Sequence, residues 1–222
     1  MTGTFVVRHN RFVASTTANE AGVSGRSIDA LVDASVALTV ESNVFEDRTI
    51  GAEARTSYDT GTRSVAITVR NNVFFRVENP FRASESGTVG VIDATLEHNT
   101  FYDFGTAIAL FGMSRTTHTR SNLFVEGTKA VDGSPYDVAH SMTWNVTTPA
   151  ASPPLSGTFA TGDPSFVNVD AGDLRLGAGS LAVDRVPASG PLPAEDYQGC
   201  PRPASATGAA PKADIGAYES QP

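Results

Sequence analysis

The sequence predicts an all-β chain folded as a right-handed parallel β-helix, a solenoid of stacked strand-and-turn coils. Two observations predict it: an Asn-x-Phe motif recurs along the first two thirds of the chain, and apolar and polar residues alternate before each copy. The five copies are Asn10/Phe12, Asn43/Phe45, Asn72/Phe74, Asn99/Phe101 and Asn122/Phe124. A further asparagine, Asn145, follows without a phenylalanine and is taken as the marker of a sixth coil.

The spacing of the asparagines predicts the length of a coil. Successive intervals are 33, 29, 27, 23 and 23 residues, which indicates a minimal coil near 23 residues with insertions in the early coils. Residues five and three places before each asparagine are mostly apolar, as in Ile67 and Val69, and residues four and two places before it are mostly polar. Because side chains alternate across a strand, the apolar set is expected to point inward.

Stacking of such coils places equivalent residues above one another, about 4.8 Å apart. The six asparagines, Asn145 included, are therefore expected to form an internal ladder of amide hydrogen bonds, and the five phenylalanines an inner stack. A Gly-Thr-x-Ala-(Ile/Val) element recurs after two of the later phenylalanines and predicts a second strand in the coil.

Charged residues of alternating sign occupy one outward position, two residues before each of the five Asn-x-Phe asparagines. They are Arg8, Glu41, Arg70, Glu97 and Arg120. In a parallel, in-register stack these side chains become neighbours on one exposed sheet, where opposite charges attract. The alternation supports the register independently, and it also suggests a charged track for a polysaccharide.

The overall composition excludes several functions. The formal charge of −8, from 24 acidic against 16 basic residues, argues against nucleic acid as a partner. No apolar run approaches the roughly 20 residues needed to span a bilayer. The lone cysteine, Cys200, lies in a Pro-rich loop and permits no intrachain disulfide.

The chain divides by composition into coils over residues 1–146 and a Pro/Gly-rich tail over 147–222. Twelve of the 13 prolines lie from Pro135 onward. A repeat protein needs its open end covered, so the tail is expected to be a C-terminal cap packed on the solenoid, within one structural domain.

Short motifs in the tail resemble the C-terminal region of secreted bacterial right-handed β-helix proteins of the choice-of-anchor Q or pectate-lyase-like group. They are Asp163-Pro164-Ser165-Phe166, Gly172-Asp173-Leu174-Arg175-Leu176, Gly179-Ser180-Leu181-Ala182-Val183-Asp184, Arg202-Pro203 and Asp214-Ile215-Gly216-Ala217-Tyr218-Glu219. Leu181 and Arg185 depart from that group's usual residues. The resemblance implies an extracellular or cell-surface protein and no single activity.

The first residues carry no signal-peptide pattern, and residues 4–7 already read as a coil strand. The sequence is therefore expected to be part of a longer protein that has further coils upstream. An uncovered first coil is also expected to offer an edge for self-association.

Catalytic residues can be sought on the charged sheet. A polysaccharide lyase needs a base and a cation that neutralises a uronate carboxylate, and Lys129 is the only lysine within the coils. The candidate catalytic residues are Arg70, Glu97, Arg120 and Asp103, and the candidate sugar-binding residues are Arg70, Glu97, His118 and Arg120. A hydrolase would need facing carboxylates, for which the candidates are Asp93, Glu97, Asp103, Glu46 and Asp47. No calcium loop, zinc spacing or phosphate loop is present, so no cofactor or metal is predicted, and Ca²⁺ stays open only as a neutraliser of the uronate without a motif of its own.

Three functions remain open from the sequence. The first is a non-catalytic surface module that binds glycan or acts as a scaffold, favoured because no known catalytic signature is present. The second is a polysaccharide lyase or glycoside hydrolase working on the charged sheet. The third is a self-assembling structural or adhesin protein.

Overall fold

The computed structural model describes residues 2–13, 21–26, 34–56, 63–85, 90–188, 192–203 and 211–220. Parallel strands from successive coils stack in register into two sheets, so the chain is a parallel β-helix, as the Asn-x-Phe repeat predicts. Within these residues no helix is long and apolar enough to cross a bilayer.

Each coil contributes one strand to the first sheet and at least one to the second, which also contains the short strand β14 after the last coil. The first sheet contains β1 (Thr2–Arg8), β4 (Ala34–Glu41), β6 (Arg63–Arg70), β8 (Gly90–Glu97), β10 (Thr117–Arg120) and β12 (Tyr136–Ala139). The second contains β2 (Arg11–Val13), β3 (Ala21–Arg26), β5 (Val44–Thr56), β7 (Val73–Glu85), β9 (Thr100–Phe111), β11 (Leu123–Asp132), β13 (Met142–Ala150) and β14 (Ala160–Thr161). Two small antiparallel pairs lie in the tail, β15 (Phe166–Asn168) with β16 (Asp173–Leu176) and β17 (Val186–Pro187) with β18 (Lys212–Ala213).

Two columns of left-handed residues turn the chain at the corners of the coil. The first corner precedes the ladder asparagine and consists of His9, Ser42, Asn71, His98, Ser121 and His140, with φ between 51° and 56°. The second corner follows a few residues later and consists of Asp47, Arg76, Asp103, Glu126 and Asn145, with φ between 51° and 55°. Between the corners lies a narrow face, here called the short face, made by residues 11–13, 44–46, 73–75, 100–102, 123–125 and 142–144.

The predicted asparagine ladder is present from Asn10 to Asn122. Each side-chain Nδ2 donates to the Oδ1 of the next rung, at 3.2, 3.1, 3.0 and 3.0 Å along the stack. Nδ2 of Asn72 also donates to the carbonyls of Val40 and Arg70, at 2.8 and 2.9 Å. These amides therefore satisfy main-chain carbonyls at a corner where the strand hydrogen bonds are interrupted.

The prediction that Asn145 is the sixth rung is wrong. Met142 pairs with Leu123, which places Ser141 opposite Asn122, and the Asn122 amide N–H donates to Ser141 Oγ at 3.1 Å. Asn145 lies at the second corner, where its Nδ2 donates to Glu126 Oε1 at 2.6 Å. The last interval of the ladder, from Asn122 to Ser141, is thus 19 residues. The ladder ends there with a serine hydroxyl in place of an asparagine amide.

The predicted phenylalanine stack is also present. The rings of Phe12, Phe45, Phe74, Phe101 and Phe124 stack with centroids 4.8–5.0 Å apart. Phe159 closes the stack edge-on against Phe124, with centroids 5.7 Å apart. Offset stacking at the strand spacing lets the rings fill the core with little void space.

The tail has two parts with different roles. Residues 151–162 lie across the last coil, where Leu155 N–H donates to the Tyr136 carbonyl at 2.8 Å and Ala160 N–H donates to the Ser141 carbonyl at 2.9 Å. This part caps the end, and the last coil strand reaches Ala150, past the predicted boundary at 146. Described residues of the remaining tail pack on the short face, where Leu174 and Ala217 join one apolar cluster with Val73 and Phe75, so they cover the side of the solenoid.

The first coil presents apolar side chains that later coils bury. Phe5 pairs with Leu38 in one inward column, yet Phe5 is 58% exposed whereas Leu38 is 7% exposed. Self-association through this edge stays a prediction.

Replacing Asn72 with alanine should lower the free energy of unfolding by roughly 3 kcal/mol, because two carbonyls and two neighbouring amides lose buried partners. Urea titration followed by circular dichroism measures it. Asn145→Gly, which keeps the left-handed corner, should change stability by less than about 1 kcal/mol. Equal losses in both variants would contradict the assignment of the ladder.

Candidate functional site

The charge ladder has the predicted register. Arg8 lies opposite Glu41, Glu41 opposite Arg70, Arg70 opposite Glu97, and Glu97 opposite Arg120. Arg70 bridges both neighbours: its guanidinium nitrogens lie 2.7 Å from Glu41 Oε2 and 3.9 Å from Glu97 Oε1. A guanidinium held between two carboxylates stays protonated. Arg70 is therefore poorly suited to be the catalytic base of a lyase, a role for which the sequence made it a candidate.

Arg120 stands at the end of this ladder. Its partner on the next rung is Ala139, and among the described residues no carboxylate lies within 4.0 Å of its guanidinium. Burial raises the pKa of Glu97, while the positive charges of Arg70 and Arg120 act in the opposite direction. The ladder therefore ends with a guanidinium that forms no close ion pair among the described residues, beside a carboxyl group whose pKa burial raises.

The tail builds a wall beside the ladder. Residues 186–188 and 192–196 run along its edge, anchored where Asn71 Nδ2 donates to the Glu195 carbonyl at 2.7 Å. Two hollows open between wall and ladder. One, of about 200 Å³, lies over Arg8, Glu41 and Arg70, and the other, of about 300 Å³, lies over Glu97 and Arg120. We call the ladder, the wall and these hollows the ladder groove.

A histidine–aspartate pair lies beside the larger hollow. His118 and Asp137 are opposite each other on adjacent strands, and His118 Nδ1 lies 2.8 Å from Asp137 Oδ2. Both remain accessible, with 41% and 25% of their side chains exposed. His118 and Arg120 project from the same face of β10, since alternate residues of a strand share a face. An imidazole oriented by a carboxylate, next to a guanidinium, can serve as a general base.

Sequence reasoning missed Asp137, and the cause is the wrong sixth rung. Asp137 precedes Ser141 by the same four residues by which His118 precedes Asn122. A search that allowed serine as a rung and a 19-residue coil would have aligned the two residues.

The other predicted carboxylates do not join this site. Asp103 lies at the second corner, on the far side of the short face from Glu97, so its grouping with Arg70, Glu97 and Arg120 is wrong. Glu46 and Asp47 are bound by Arg76, and Asp93 lies 3.5 Å from Arg115. The two corners of each coil separate these groups, so the five carboxylates proposed for a hydrolase do not face one sugar bond. Among the residues described, no cluster of three or more His, Cys, Asp or Glu could hold a metal ion.

The tail motif holds the tail together and does not line the ladder groove. The side chains of Arg202 and Glu219 are 0% and 1% exposed and lie 2.9 Å apart. Arg202 also donates to the carbonyls of Asp214 and Gly216, at 3.2 and 2.8 Å. Asp214 accepts from the main-chain N–H of Asp184 and Ser220. A buried pair whose two terminal guanidinium nitrogens are both hydrogen-bonded fixes the loop conformation around it.

His98 lies where these tail residues, here called the tail lock (Arg202, Asp214 and Glu219), pack on the solenoid. It is 1% exposed, and burial lowers the pKa of its imidazole well below the ordinary value, with the charge of Arg202 acting in the same direction. The nearby main-chain groups of Asp214 and Gly216 act in the opposite direction, but neither buried ring nitrogen has a hydrogen-bond partner among the described residues. The neutral ring is thus the form compatible with the packed tail.

No protein-family model matches the chain, and neither the curated proteins nor the solved structures include a significant match.

His98 should make the protein less stable in mild acid. Because its pKa is lower in the folded state, the unfolded chain binds the proton first as the pH falls below about 6.5, so stability falls with pH there. The slope should approach about 1.4 kcal/mol per pH unit. In His98→Asn this part of the slope should vanish, while His9→Asn, at an exposed corner, should keep it. Urea unfolding between pH 5 and pH 8 tests this, and identical slopes in parent and His98→Asn would contradict it.

Proposed function

We propose that this β-helix binds an acidic polysaccharide lengthwise along the ladder groove. The observation that carries the proposal is the placement of arginines on every second rung: Arg8, Arg70 and Arg120 repeat at about 9.6 Å, twice the strand spacing. That distance corresponds to roughly two sugar units of an extended chain. A polymer with one carboxylate per disaccharide would therefore meet an arginine at each acidic unit, sharing Arg8 and Arg70 with the ladder glutamates and meeting Arg120 without a close carboxylate.

The intervening glutamates suit the sugars between the acidic units. Glu41 and Glu97 are mostly buried, with side-chain exposures of 17% and 13%, and their carboxylates face the groove beside the arginines. Carboxylates accept hydrogen bonds from sugar hydroxyls and repel a second acidic unit. The alternation therefore favours a mixed polymer over a homopolymer of uronates, and it disfavours nucleic acid, whose charge is continuous.

An extracellular or cell-surface location fits this proposal. It is supported by the resemblance of the tail motifs to secreted bacterial β-helix proteins, and such polymers are components of extracellular matrices and cell walls.

Removing two groove cations should weaken binding. Arg70→Gln with Arg120→Gln should reduce affinity for an alternating uronate polymer such as hyaluronate about 100-fold, roughly 10-fold per arginine, because each loses a charge-assisted hydrogen bond. Isothermal titration calorimetry measures this. Lys129→Gln removes a cation from the other sheet and serves as the matched control.

Two results would contradict groove binding. One is an equal affinity loss in Lys129→Gln, which would indicate nonspecific attraction. The other is tight binding of a uronate homopolymer with none of the alternating polymer.

A second candidate function is cleavage of the polymer by β-elimination, favoured by the His118–Asp137 pair. With Nδ1 held by Asp137, Nε2 of His118 would remove the proton from the carbon next to the uronate carboxylate. That electron pair forms a carbon–carbon double bond as the glycosidic carbon–oxygen bond breaks, and the leaving oxygen takes a proton from Glu97. Arg120 would neutralise the carboxylate during proton removal.

Cleavage should produce ultraviolet absorbance from the new double bond when the protein is incubated with uronate polymers. His118→Ala should lower the initial rate at least about 100-fold, and Asp137→Asn about 10-fold or more. Asp132→Asn, an exposed carboxylate on the other sheet, should keep the parent rate. Binding without any absorbance on alternating or homopolymeric uronates would reject cleavage and leave the binding function intact.

A further inference from the structure

A further cavity lies outside the ladder groove, where the tail overhangs the short face of the early coils. Its volume is about 350 Å³. Side chains that line it include Arg11, Glu46, Phe75, Arg76, Tyr197 and Tyr218, and the turn Asp170–Gly172 forms part of its rim. We call it the tyrosine cleft. The volume is in the range of small-molecule pockets and is large enough for a single sugar ring.

Rigid elements form the cleft. Phe75 stacks on Tyr102 with centroids 5.5 Å apart, and the guanidinium carbon of Arg76 lies 4.1 Å from the centroid of the Phe75 ring. On the tail side, Tyr197 and Tyr218 pack edge to face at 5.4 Å, and Tyr197 N–H donates to the Ala217 carbonyl at 2.8 Å. The aromatic walls are therefore set in place by the coil register and by the tail lock.

The charges of the cleft are already paired. Arg11 binds Glu46, and Arg76 binds Asp47 at 2.8 Å and Glu46 at 3.3 Å. Asp170 adds a further carboxylate at the rim. An anionic ligand would thus meet no uncompensated cation, which separates this cleft from the arginine end of the ladder groove.

The two tyrosines that line the cleft, Tyr197 and Tyr218, have hydroxyl groups without a hydrogen-bond partner among the described residues. Burial raises the pKa of both hydroxyls, and for Tyr218 the neighbouring Tyr197, Asp173 and Asp196 raise it further. Both hydroxyls are therefore protonated and can each donate one hydrogen bond and accept others.

We propose that the tyrosine cleft binds one neutral pyranose, such as a hexose unit, independently of the ladder groove. Phe75 is buried under Tyr102 and Arg76, so the half-buried rings of Tyr197 and Tyr218 are the aromatic surface offered to the apolar face of the sugar ring. The tyrosine hydroxyls, with the Glu46 carboxylate and the guanidinium edges, offer the donors and acceptors that neighbouring sugar hydroxyls need. The paired charges give no attraction for a uronate or a phosphate.

The test uses the whole chain and the methyl glycosides of glucose, galactose and mannose as probes, with methyl glucuronide as the anionic comparison. Saturation-transfer NMR and chemical-shift titration should show one neutral glycoside binding at least about 10-fold more tightly than methyl glucuronide. Tyr197→Phe with Tyr218→Phe, which keeps both rings, should weaken that binding at least about 10-fold. The Arg70→Gln, Arg120→Gln variant should bind the glycoside as the parent does.

Three outcomes would overturn the proposal. One is no saturable binding of any neutral glycoside by the parent. Another is tighter binding of methyl glucuronide, and the third is unchanged binding in the double tyrosine variant. If that variant does not fold, the shift perturbations in the parent decide: they must centre on the ring signals of Tyr197 and Tyr218. Loss of polymer binding in the arginine variant with this site intact would separate the two sites.

Discussion

Asparagine amides stacked inside the solenoid hold each coil at a fixed register on the next. The amide of Asn72 satisfies two main-chain carbonyls and joins the rungs on both sides, and it does so without access to water. A slip of one residue would leave these groups unpaired and would turn every inward side chain outward. The phenylalanine stack and the outward charge ladder both inherit their alignment from this constraint.

The chemistry of the outer sheet follows from the same register. Arg70 is held between two glutamates because rungs of opposite charge are neighbours, and His118 meets Asp137 because the last coil has only 19 residues. At the end of the ladder Arg120 has a carboxylate neighbour on one side only, and that neighbour, Glu97, has a pKa raised by burial. The proposed binding and cleavage of an anionic polymer depend on this end of the sheet.

The tail changes an open sheet into a surface that carries the two hollows of the ladder groove and the tyrosine cleft. The buried Arg202–Glu219 pair fixes the described part of the tail that packs on the short face. His98 lies between that part of the tail and the solenoid. The same segment gives the groove its wall and the cleft its tyrosines. The ladder groove keeps an unpaired guanidinium, whereas the tyrosine cleft has its charges paired and its hydroxyls free, so the two cavities differ in the ligands they suit.

The sequence by itself determined the solenoid, five rungs of its ladder, the phenylalanine stack and the charged sheet, because periodic spacing translates directly into stacked positions. Only the tertiary structure decided where the period breaks. Ser141 replaces an asparagine without resembling one, so the sixth coil and Asp137 escaped the pattern. The path of the tail, which has no period, also needed the structure. Tyr197 and Tyr218 meet Arg11 and Phe75 across long stretches of chain, and such contacts depend on packing and leave no spacing to read.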